Sequence, residues 1–314
     1  MVDKTLYIDG DTILYSSAAK EQILTCKATH IPSGRDKMFA SKTAFNNWLK
    51  ENERWKNDEF SFESVPELVG TKINAYSSVK KKIEAILEAV QPKDFVICVQ
   101  GDGNYRKNYD SKFVAYKAQR ITKPIFLPDV KDFVQRKYKD KCLLVEGKEV
   151  DDYVCTKAWE HFDPKGSVDT SPIVVAYCDK DIQQNSPGAL LNYFHSEEGI
   201  FWNSVEDQYK GFWKSVLTGD NADNIPGIEV LGEETRVLYG IKTKGCGPVA
   251  AGRILTGISS EQEAAERVLA AYKESWPDDY LERLQDMCFF LWLQREEGQK
   301  FDLKNYFDKL GITY

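Results

Sequence analysis

Short runs of apolar, often β-branched residues alternate with segments of helical periodicity along the first two thirds of the chain. Five of these runs predict strands, at residues 4–8, 95–99, 143–145, 173–177 and 190–194. Between them, apolar residues recur at helical spacing over 71–90, and another helix is expected from about residue 149. Continuous apolar strands separated by helices are typical of a buried parallel sheet. The pattern therefore predicts an α/β fold whose parallel sheet is flanked by helices.

Two regions depart from this alternation. Residues 26–70 are polar, rich in aromatic residues and weakly periodic, which predicts an insertion with a short helix near 41–53. After residue 205 the apolar positions take helical spacing interrupted by glycines. We therefore predict an α/β domain over 1–204 and a helical region over 205–314.

Charge is distributed unevenly. The 314 residues carry a net charge of −7, yet residues 103–141 hold eleven Lys and Arg against four Asp and Glu. The uneven distribution predicts a basic segment beside an acidic region. A solvated, charged helical face is the simpler alternative for that basic segment.

The spacing of cysteines and histidines does not predict disulfide bonds or a zinc site. The seven cysteines include no C-x-x-C pair, and the three histidines lack zinc-site spacing, which favours buried, reduced thiols. No run of 18 apolar residues is present, and the N-terminal residues do not resemble a signal peptide. These features predict a cytoplasmic protein without a membrane partner.

Carboxylates cluster at five places, most of them directly after an apolar run. The clusters are Asp9 and Asp11; Asp102; Glu149, Asp151 and Asp152; Asp179 and Asp181; and Asp220 and Asp223. Because the carboxyl ends of parallel strands meet at one edge of a sheet, we expect these side chains to converge. Neighbouring carboxylates repel unless a cation lies among them, and hard oxygen ligands suit magnesium or manganese.

Each cluster alone has a simpler explanation. Acidic residues favour helix N-termini, and Asp, Asn and Gly favour turns. Asp9-Gly-Asp11 also resembles the start of several phosphotransfer enzymes, and Asp179-Lys-Asp181 the D-x-D of topoisomerase–primase domains.

Two further segments are candidates for contact with nucleic acid. Arg106, Lys117 and Arg120 alternate with aromatic residues such as Tyr116, and such cations bind phosphates while aromatic rings stack on bases. Lys117 and Arg120 are expected to share one face of a helix. Residues 245–255 predict a tight turn that opens a helix, whose first amides can bind a phosphate. A plain turn between helices is the alternative there.

In order along the chain, six motifs resemble the 5′ nuclease superfamily of flap endonucleases and 5′→3′ exonucleases. They are Ile8-Asp-Gly-Asp-Thr-Ile-Leu-Tyr15; Asp102 and Arg106 with Tyr116-Lys-Ala-Gln-Arg120; Glu149-Val-Asp-Asp152; Asp179-Lys-Asp-Ile-Gln183; Gly219-Asp-Asn-Ala-Asp-Asn-Ile-Pro-Gly227; and Gly245-Cys-Gly-Pro-Val-Ala-Ala251. The resemblance covers roughly residues 4–256. It is most like bacteriophage replication exonucleases with ribonuclease H activity.

This resemblance implies a PIN-like sheet, a helical arch at about 103–141 and a helix–three-turn–helix at about 217–256. It implies hydrolysis of DNA, and of RNA in RNA–DNA hybrids, by a two-metal mechanism with Mg²⁺, for which Mn²⁺ can substitute. The implied substrates are double-stranded DNA with 5′ ends or flaps, in phage DNA replication inside a bacterial host cell. The resemblance also implies a monomer and a potassium ion at the helix–three-turn–helix.

The resemblance assigns residue roles. The first metal would be held by Glu149, Asp151, Asp152 and Asp179, with Asp9 and Asp102 farther out, and the second by Asp181, Asp220 and Asp223. Lys117, Arg106 and Arg120 would be the catalytic cations. Tyr116, Gly245 and Gly247 would contact DNA. Contacts from Lys242 and Lys244 are our own prediction, since the segment that carries them departs from the family.

The chain departs from the family pattern at three places. Seventeen residues, Ile228–Lys244, precede the 245–247 turn where relatives have only a few, and Val249 stands where the family has a lysine. Residues 26–70 have no counterpart. We predict that Lys242 and Lys244 supply the charge missing at Val249. The alternatives to a nuclease are another metal-dependent phosphohydrolase or topoisomerase–primase fold, and a catalytically inactive, structure-specific DNA-binding protein.

Overall fold

The computed structural model of the chain describes residues 3–118 and 122–314. Of the described residues, 3–11, 86–118 and 141–314 form one compact unit, and 12–85 and 122–140 form a second. The boundary at residue 204 stays a prediction. The helices after residue 205 belong to the same unit as the large sheet. Gln208 of the first of these helices donates from Nε2 to the Gln184 carbonyl at 3.3 Å.

Strands and helices alternate along most of the chain. The strands are β1 Thr5–Asp9, β2 Gln22–His30, β3 Arg35–Phe39, β4 Phe60–Leu68, β5 Asp94–Gln100, β6 Cys142–Val145, β7 Ile173–Tyr177, β8 Gly188–Asn192 and β9 Phe201–Asn203. The helices are α1 Asp11–Ala19, α2 Lys42–Glu51, α3 Lys72–Val90, α4 Leu127–Lys137, α5 Val150–Glu160, α6 Lys180–Asn185, α7 Val205–Thr218, α8 Glu233–Leu238, α9 Pro248–Ile254, α10 Glu261–Ser275, α11 Tyr280–Leu291 and α12 Leu303–Leu310. None of the helices in the described residues has the length and apolarity needed to cross a membrane.

The first unit is built on a six-stranded sheet of order β6-β5-β1-β7-β8-β9. All neighbouring strands pair in parallel except β8 and β9, which are antiparallel. The predicted α/β class with a parallel sheet is therefore confirmed. All five predicted strands are present within a few residues of their expected bounds, whereas β9 was not predicted because three residues are too short to show a period.

Two buried cores hold the first unit together. The first lies between α5 and the sheet, where Val150, Val154 and Ala158 pack with strand residues such as Cys98 and Val175. The second is formed by the helices after residue 205 and contains fully buried aromatic rings, including Phe212, Trp213 and Trp292. Large buried side chains of this kind contribute about 3–5 kcal/mol each, so the C-terminal helices form a substantial core.

The departure at Ile228–Lys244 is an ordered segment that contains helix α8. The two ends of the segment are close together, because the Leu231 amide donates to the Lys244 carbonyl at 2.7 Å. Leu231 and Ile241 are also buried in the second core. The Glu274 carboxylate of α10 accepts from the amides of Glu234 and Thr235 at the start of α8. This carboxylate satisfies amides that a helix start leaves without partners. The segment therefore brings the 245–247 turn to a fixed place.

The region expected to form a helical arch, residues 103–141, contains α-helix in its described part only at α4, Leu127–Lys137. Residues 105–108 form a short 3₁₀ turn, and between 103 and 118 the structure places no α-helix. Tyr109 stacks on Phe289 at 3.8 Å between ring centroids, which draws this segment onto α11. Lys117 has φ +55°, a left-handed conformation that does not continue a right-handed helix. Helix α4 belongs to the second unit.

The second unit contains a three-stranded antiparallel sheet of order β3-β2-β4. The short helix predicted near 41–53 is confirmed as α2, and its Phe45 ring is fully buried against Phe60 and Phe62 at 5.1 and 4.8 Å between centroids. The sheet itself was not predicted. Its strands mix Lys, Glu, Ser and Thr with aromatic residues, and this mixture hides the alternation that identifies a half-buried strand.

We predict that Phe45→Ala destabilises this small sheet by about 3–5 kcal/mol, because it removes the ring at the centre of the aromatic cluster. Hydrogen exchange over residues 22–68 measures the local free energy of opening. Asn46→Ala, at an exposed position of the same helix, is the control and should change it by less than about 0.5 kcal/mol. Equal protection in the two variants would contradict a core centred on Phe45.

Candidate active site

Acidic side chains gather at the carboxyl edge of the large sheet. Asp9 is the last residue of β1 and is buried, and Asp179 follows β7 as the N-cap of α6. Glu149 follows β6 as the N-cap of α5, which places Asp151 in the first turn of that helix. Because β6, β1 and β7 run parallel in one sheet, their chain reversals bring these residues to the same edge.

Asp151 lies among three other carboxylates. Burial raises its pKa well above the ordinary value, and the charges of Asp9, Asp179 and Glu149 raise it further. A carboxyl group among like charges resists ionisation unless a cation compensates. These four residues therefore form the first half of an acidic cluster.

Asp181 is the centre of the second half. Burial, followed by the charges of Asp179 and Asp220, raises its pKa to about 8, and Asp223 contributes as well. The charge of Asp179 raises the pKa of both Asp151 and Asp181, so Asp179 lies close to both groups. The structure thus brings together acids that are far apart in sequence.

Lys117 joins the two halves of the cluster. Its ammonium group forms an ion pair with Glu149 and lies 3.5 Å from Asp223 Oδ2, and its backbone amide donates to the Asp223 carbonyl at 2.9 Å. The side chain is only 14% exposed. Burial opposes ionisation of Glu149, but the charges of Lys117 and Arg106 outweigh it and hold the pKa of Glu149 below its ordinary value. Lys117 therefore lies beside carboxylates of both halves, and its catalytic role stays a prediction.

A second lysine, Lys180, compensates Asp220. Its Nζ lies 2.8 Å from Asp220 Oδ2. Burial opposes ionisation of Asp220, but the hydrogen bond and charge of Lys180 hold the pKa of Asp220 below its ordinary value. Lys180 was not predicted as a site residue. A lysine flanked by two candidate ligands was the sequence signal that could have identified it.

Arg106 has a different place from the one predicted. It is 1% exposed and makes a bidentate ion pair with Asp152, at 2.5 and 2.8 Å. It also donates to the Trp292 carbonyl and, at 3.4 Å, to Glu149. A guanidinium group enclosed in this way is not exposed to a phosphate. Through its ion pair with Asp152, Arg106 fixes the first turn of α5.

Asp152 is also displaced from its predicted role as a metal ligand. Its carboxylate is fully buried, bound to Arg106, and accepts from the Gln294 amide at 3.0 Å. Its oxygens are therefore used by protein donors in this structure. The Glu149-Val-Asp-Asp152 motif therefore splits, with Glu149 and Asp151 in the cluster and Asp152 in the core.

Asp102 and Tyr116 lie on either side of the 105–108 turn. Asp102 is exposed, its backbone amide donates to the Glu146 carboxylate at 2.5 Å, and its carbonyl accepts from the Gly147 amide at 2.7 Å. Its place outside the first metal ligands stays a prediction. Tyr116 donates its hydroxyl to Glu149 at 2.7 Å and stacks on Phe290, so its ring is packed inside the protein and not presented to DNA. Asp11 accepts from the Gln100 amide at 2.9 Å and fixes the start of α1.

The predicted DNA-contact turn lies before α9. Lys242 and Lys244 are exposed, Gly245 and Gly247 flank buried Cys246, and the Cys246 amide donates to the Ile228 carbonyl at 3.1 Å. Val249, where the family has a lysine, is 75% exposed. Arg120, the remaining predicted catalytic cation, lies outside the described residues.

The donor set fits a divalent cation, although its side chains are not arranged as a ligand cage. Within residues 3–118 and 122–314, no three His, Cys, Asp or Glu side chains converge closely enough to hold a metal ion. Lys117 and Lys180 compensate the carboxylates instead. The Asp181 Oδ1 atom, however, is buried and accepts no hydrogen bond from any described residue. An unpartnered carboxylate oxygen among other carboxylates is a ligand suited to Mg²⁺ or Mn²⁺.

Comparison with known proteins gives structural similarities only. No protein-family model and no curated protein matches the chain. A bacteriophage T5 flap endonuclease variant, solved as a pseudo-enzyme–product complex with DNA and metal ions, is 12% identical with a TM-score of 0.41, covering 92% of this chain and 96% of that one. A T5 5′-exonuclease mutant is 13% identical with a TM-score of 0.37, covering 92% and 91%. The T5 D15 protein co-crystallised with metal ions is 11% identical with a TM-score of 0.39, covering 92% and 99%.

We predict that Arg106→Ala lowers the free energy of unfolding by about 3–5 kcal/mol, because it leaves Asp152 charged and buried without its partner. Denaturant titration measures this loss. Lys107→Ala, at the exposed neighbouring position, should cost less than about 0.5 kcal/mol. An Arg106→Ala protein as stable as the wild type would restore the phosphate-binding assignment.

A second prediction concerns pH. Because the folded pKa of Asp181 is raised to about 8, the folded state binds a proton that the unfolded state releases near pH 4. Ionisation of Asp181 therefore costs stability as pH rises from about 4 to 8 in metal-free protein. Asp181→Asn should become more stable than the wild type with rising pH, by at most about 1.4 kcal/mol per pH unit.

Thermal unfolding at a series of pH values in a chelating buffer measures this difference. Asp278→Asn, at an exposed position, is the matched control and should follow the wild-type curve. A difference between Asp181→Asn and wild type that stays constant from pH 5 to 8 would contradict the raised pKa.

Proposed function

We propose that this chain is a divalent-metal-dependent 5′ nuclease that hydrolyses phosphodiester bonds in DNA, and in RNA paired with DNA. The observation that carries the proposal is the convergence of carboxylates from four separate segments around Asp179, with a lysine between its two halves. Their order along the sequence follows the motifs of the 5′ nuclease superfamily. Hydrolysis of a phosphodiester needs both charge compensation at the phosphate and a nucleophilic water.

The proposed ligands are the carboxylates of the two halves. Glu149, Asp151 and Asp179, with Asp9 behind them, would hold one ion, and Asp181, Asp220 and Asp223 the other. Bound ions supply a lowered water pKa and positive charge at the phosphate. Asp152 and Arg106 are left out of this set because their side chains are bound to each other. Asp102 keeps its predicted place farther from the first ion.

Lys117 is the proposed cation for the scissile phosphate. Its ammonium group lies beside Glu149 and Asp223, so it offsets negative charge where an incoming phosphate would otherwise meet carboxylates alone. Because Lys is a point charge on a flexible chain, it can shift from a carboxylate to a phosphate oxygen without breaking a bidentate pair. That freedom distinguishes it from the enclosed Arg106.

Contacts to the duplex are proposed at the exposed turn before α9. Lys242 and Lys244 place two charges beside Gly245 and Gly247, and Val249 contributes none. Together with the basic excess of residues 103–141, these cations would make binding fall steeply with salt. The potassium ion, the monomeric state and the phage replication role stay predictions.

One observation favours a second candidate, a catalytically inactive DNA-binding protein. Both halves of the cluster are compensated by lysines, and a cluster neutralised in this way could serve stability alone. The two candidates differ in turnover. Digestion of 5′-labelled and 3′-labelled duplex, flap and RNA–DNA substrates, with and without Mg²⁺, separates them. We expect Mg²⁺-dependent products that begin at 5′ ends.

We predict that Asp179→Asn lowers turnover by well over the ~10–100-fold typical of residues that only support metal ligands, because Asp179 acts on both halves of the cluster. DNA affinity should change little. Single-turnover cleavage and filter binding measure the two quantities, with exposed Asp278→Asn as the control. Cleavage by Asp179→Asn at nearly the wild-type rate in Mg²⁺ would remove the two-metal assignment.

A further inference from the structure

Lys180 makes an unusual ion pair for a surface lysine. Its side chain is 54% exposed, whereas that of its partner Asp220 is 8% exposed. In the pair formed by Lys210 and Glu206 on α7, both side chains are substantially exposed. Lys180 is therefore a half-exposed cation paired with a buried carboxylate, while Lys210 belongs to an ordinary surface pair of small energetic value.

The two oxygens of Asp220 have different partners. Oδ1 accepts from the amides of Ala222 and Asp223, at 2.7 and 3.3 Å, and so shapes the turn that carries Asp223. Oδ2 is the oxygen bound by Lys180. A cation that used Asp220 as a ligand without breaking the turn would have to approach Oδ2, where Lys180 already lies.

Asp181 lies near this pair, and one of its carboxylate oxygens is available to bind a cation. Asp220 is close enough for its charge to act on Asp181, and the buried Oδ1 of Asp181 has no hydrogen-bond partner among the described residues. An ion held by Asp181 and Asp220 would face the positive charge of Lys180 at close range. Two cations cannot share one carboxylate oxygen without mutual repulsion.

We propose that Lys180 is an internal counter-cation, a positioning residue that holds Asp220 when no metal is bound and leaves Asp220 Oδ2 when a divalent cation arrives. This inference rests on the proposed function, because it concerns the second half of the same cluster. The high exposure of Lys180 allows its ammonium group to move into water at little cost. Lys117 is different, since it is largely buried and tied to Glu149 and Asp223.

The two lysines therefore have separate consequences for metal binding. Lys117 joins both halves and is the cation proposed for the scissile phosphate, whereas Lys180 competes with a metal ion for one oxygen of one half. Removing the charge of Lys180 should tighten binding of an ion at Asp181 and Asp220. The same change should destabilise the metal-free protein, because buried Asp220 then lacks its partner.

The test uses Lys180→Met, which keeps an unbranched side chain one atom shorter and removes its charge. Mn²⁺ affinity is measured by electron paramagnetic resonance without DNA, and the melting temperature is measured in a chelating buffer. We expect about tenfold tighter binding of the weaker Mn²⁺ ion, a size typical of residues that act on metal ligands from outside. The metal-free melting temperature should fall.

Two matched variants complete the design. Lys180→Arg keeps the charge and should restore both the metal-free melting temperature and the weaker Mn²⁺ affinity. Lys210→Met removes an exposed lysine paired with Glu206 and should leave both unchanged. Agreement of all three variants with these expectations supports the inference.

The contrary outcomes are separable. Mn²⁺ binding by Lys180→Met that equals or falls below that of the wild type would overturn the counter-cation role while leaving the proposed function intact. Absence of Mn²⁺ binding in the wild type and in every variant would overturn the proposed function and the inference together. A metal-free melting temperature unchanged by Lys180→Met would overturn the claim that Lys180 holds Asp220.

Discussion

Carboxylates at the carboxyl edge of the sheet repel one another, and the other groups of the site compensate this repulsion. Parallel strands deliver Asp9 and Asp179 to one place, and the helix after β6 adds Glu149 and Asp151. Such a gathering is unfavourable unless each charge meets a proton or a cation. The structure uses both solutions, since burial and like charges raise the pKa of Asp151 while lysines keep Glu149 and Asp220 ionised.

The buried pair of Arg106 and Asp152 is the support beneath this arrangement. It ties the turn at 105–108 to α5 and, through the Trp292 carbonyl and the Gln294 amide, to the chain after α11. Buried ion pairs add little net stability, but removing one partner is costly. The pair therefore contributes little to the free energy of folding, but it fixes α5 relative to the 105–108 turn and to the chain after α11. This keeps the acids of α5 at the edge where the strands end.

Much of this organisation could be predicted from sequence. The β-branched runs at β1, β5, β6 and β7 identify a parallel sheet, and carboxylates at their ends identify the functional edge. The six ordered motifs led to the same residues. The sequence predicts these features because a buried strand and the carboxylate that follows it lie within a few residues of each other.

The failures have a common physical origin in contacts that are distant in sequence. From sequence, Arg106 resembles a surface cation, but in the structure it is buried and bonded to the Trp292 carbonyl. Asp152 resembles a metal ligand, but its carboxylate binds Arg106 and the Gln294 amide. Tyr116 packs on Phe290, which no nearby pattern indicates. The sheet of β2, β3 and β4 was missed for another reason, since its polar residues mask the strand period.

The central position of β1 in the large sheet has a consequence for biosynthesis. This strand pairs with β5 on one side and with β7 on the other, yet it begins at Thr5 and β7 begins at Ile173. At a translation rate of roughly 5–20 residues per second, β1 leaves the ribosome roughly 8–35 s before its second partner is made. During that interval an apolar strand has an unpaired edge, which is a template for aggregation.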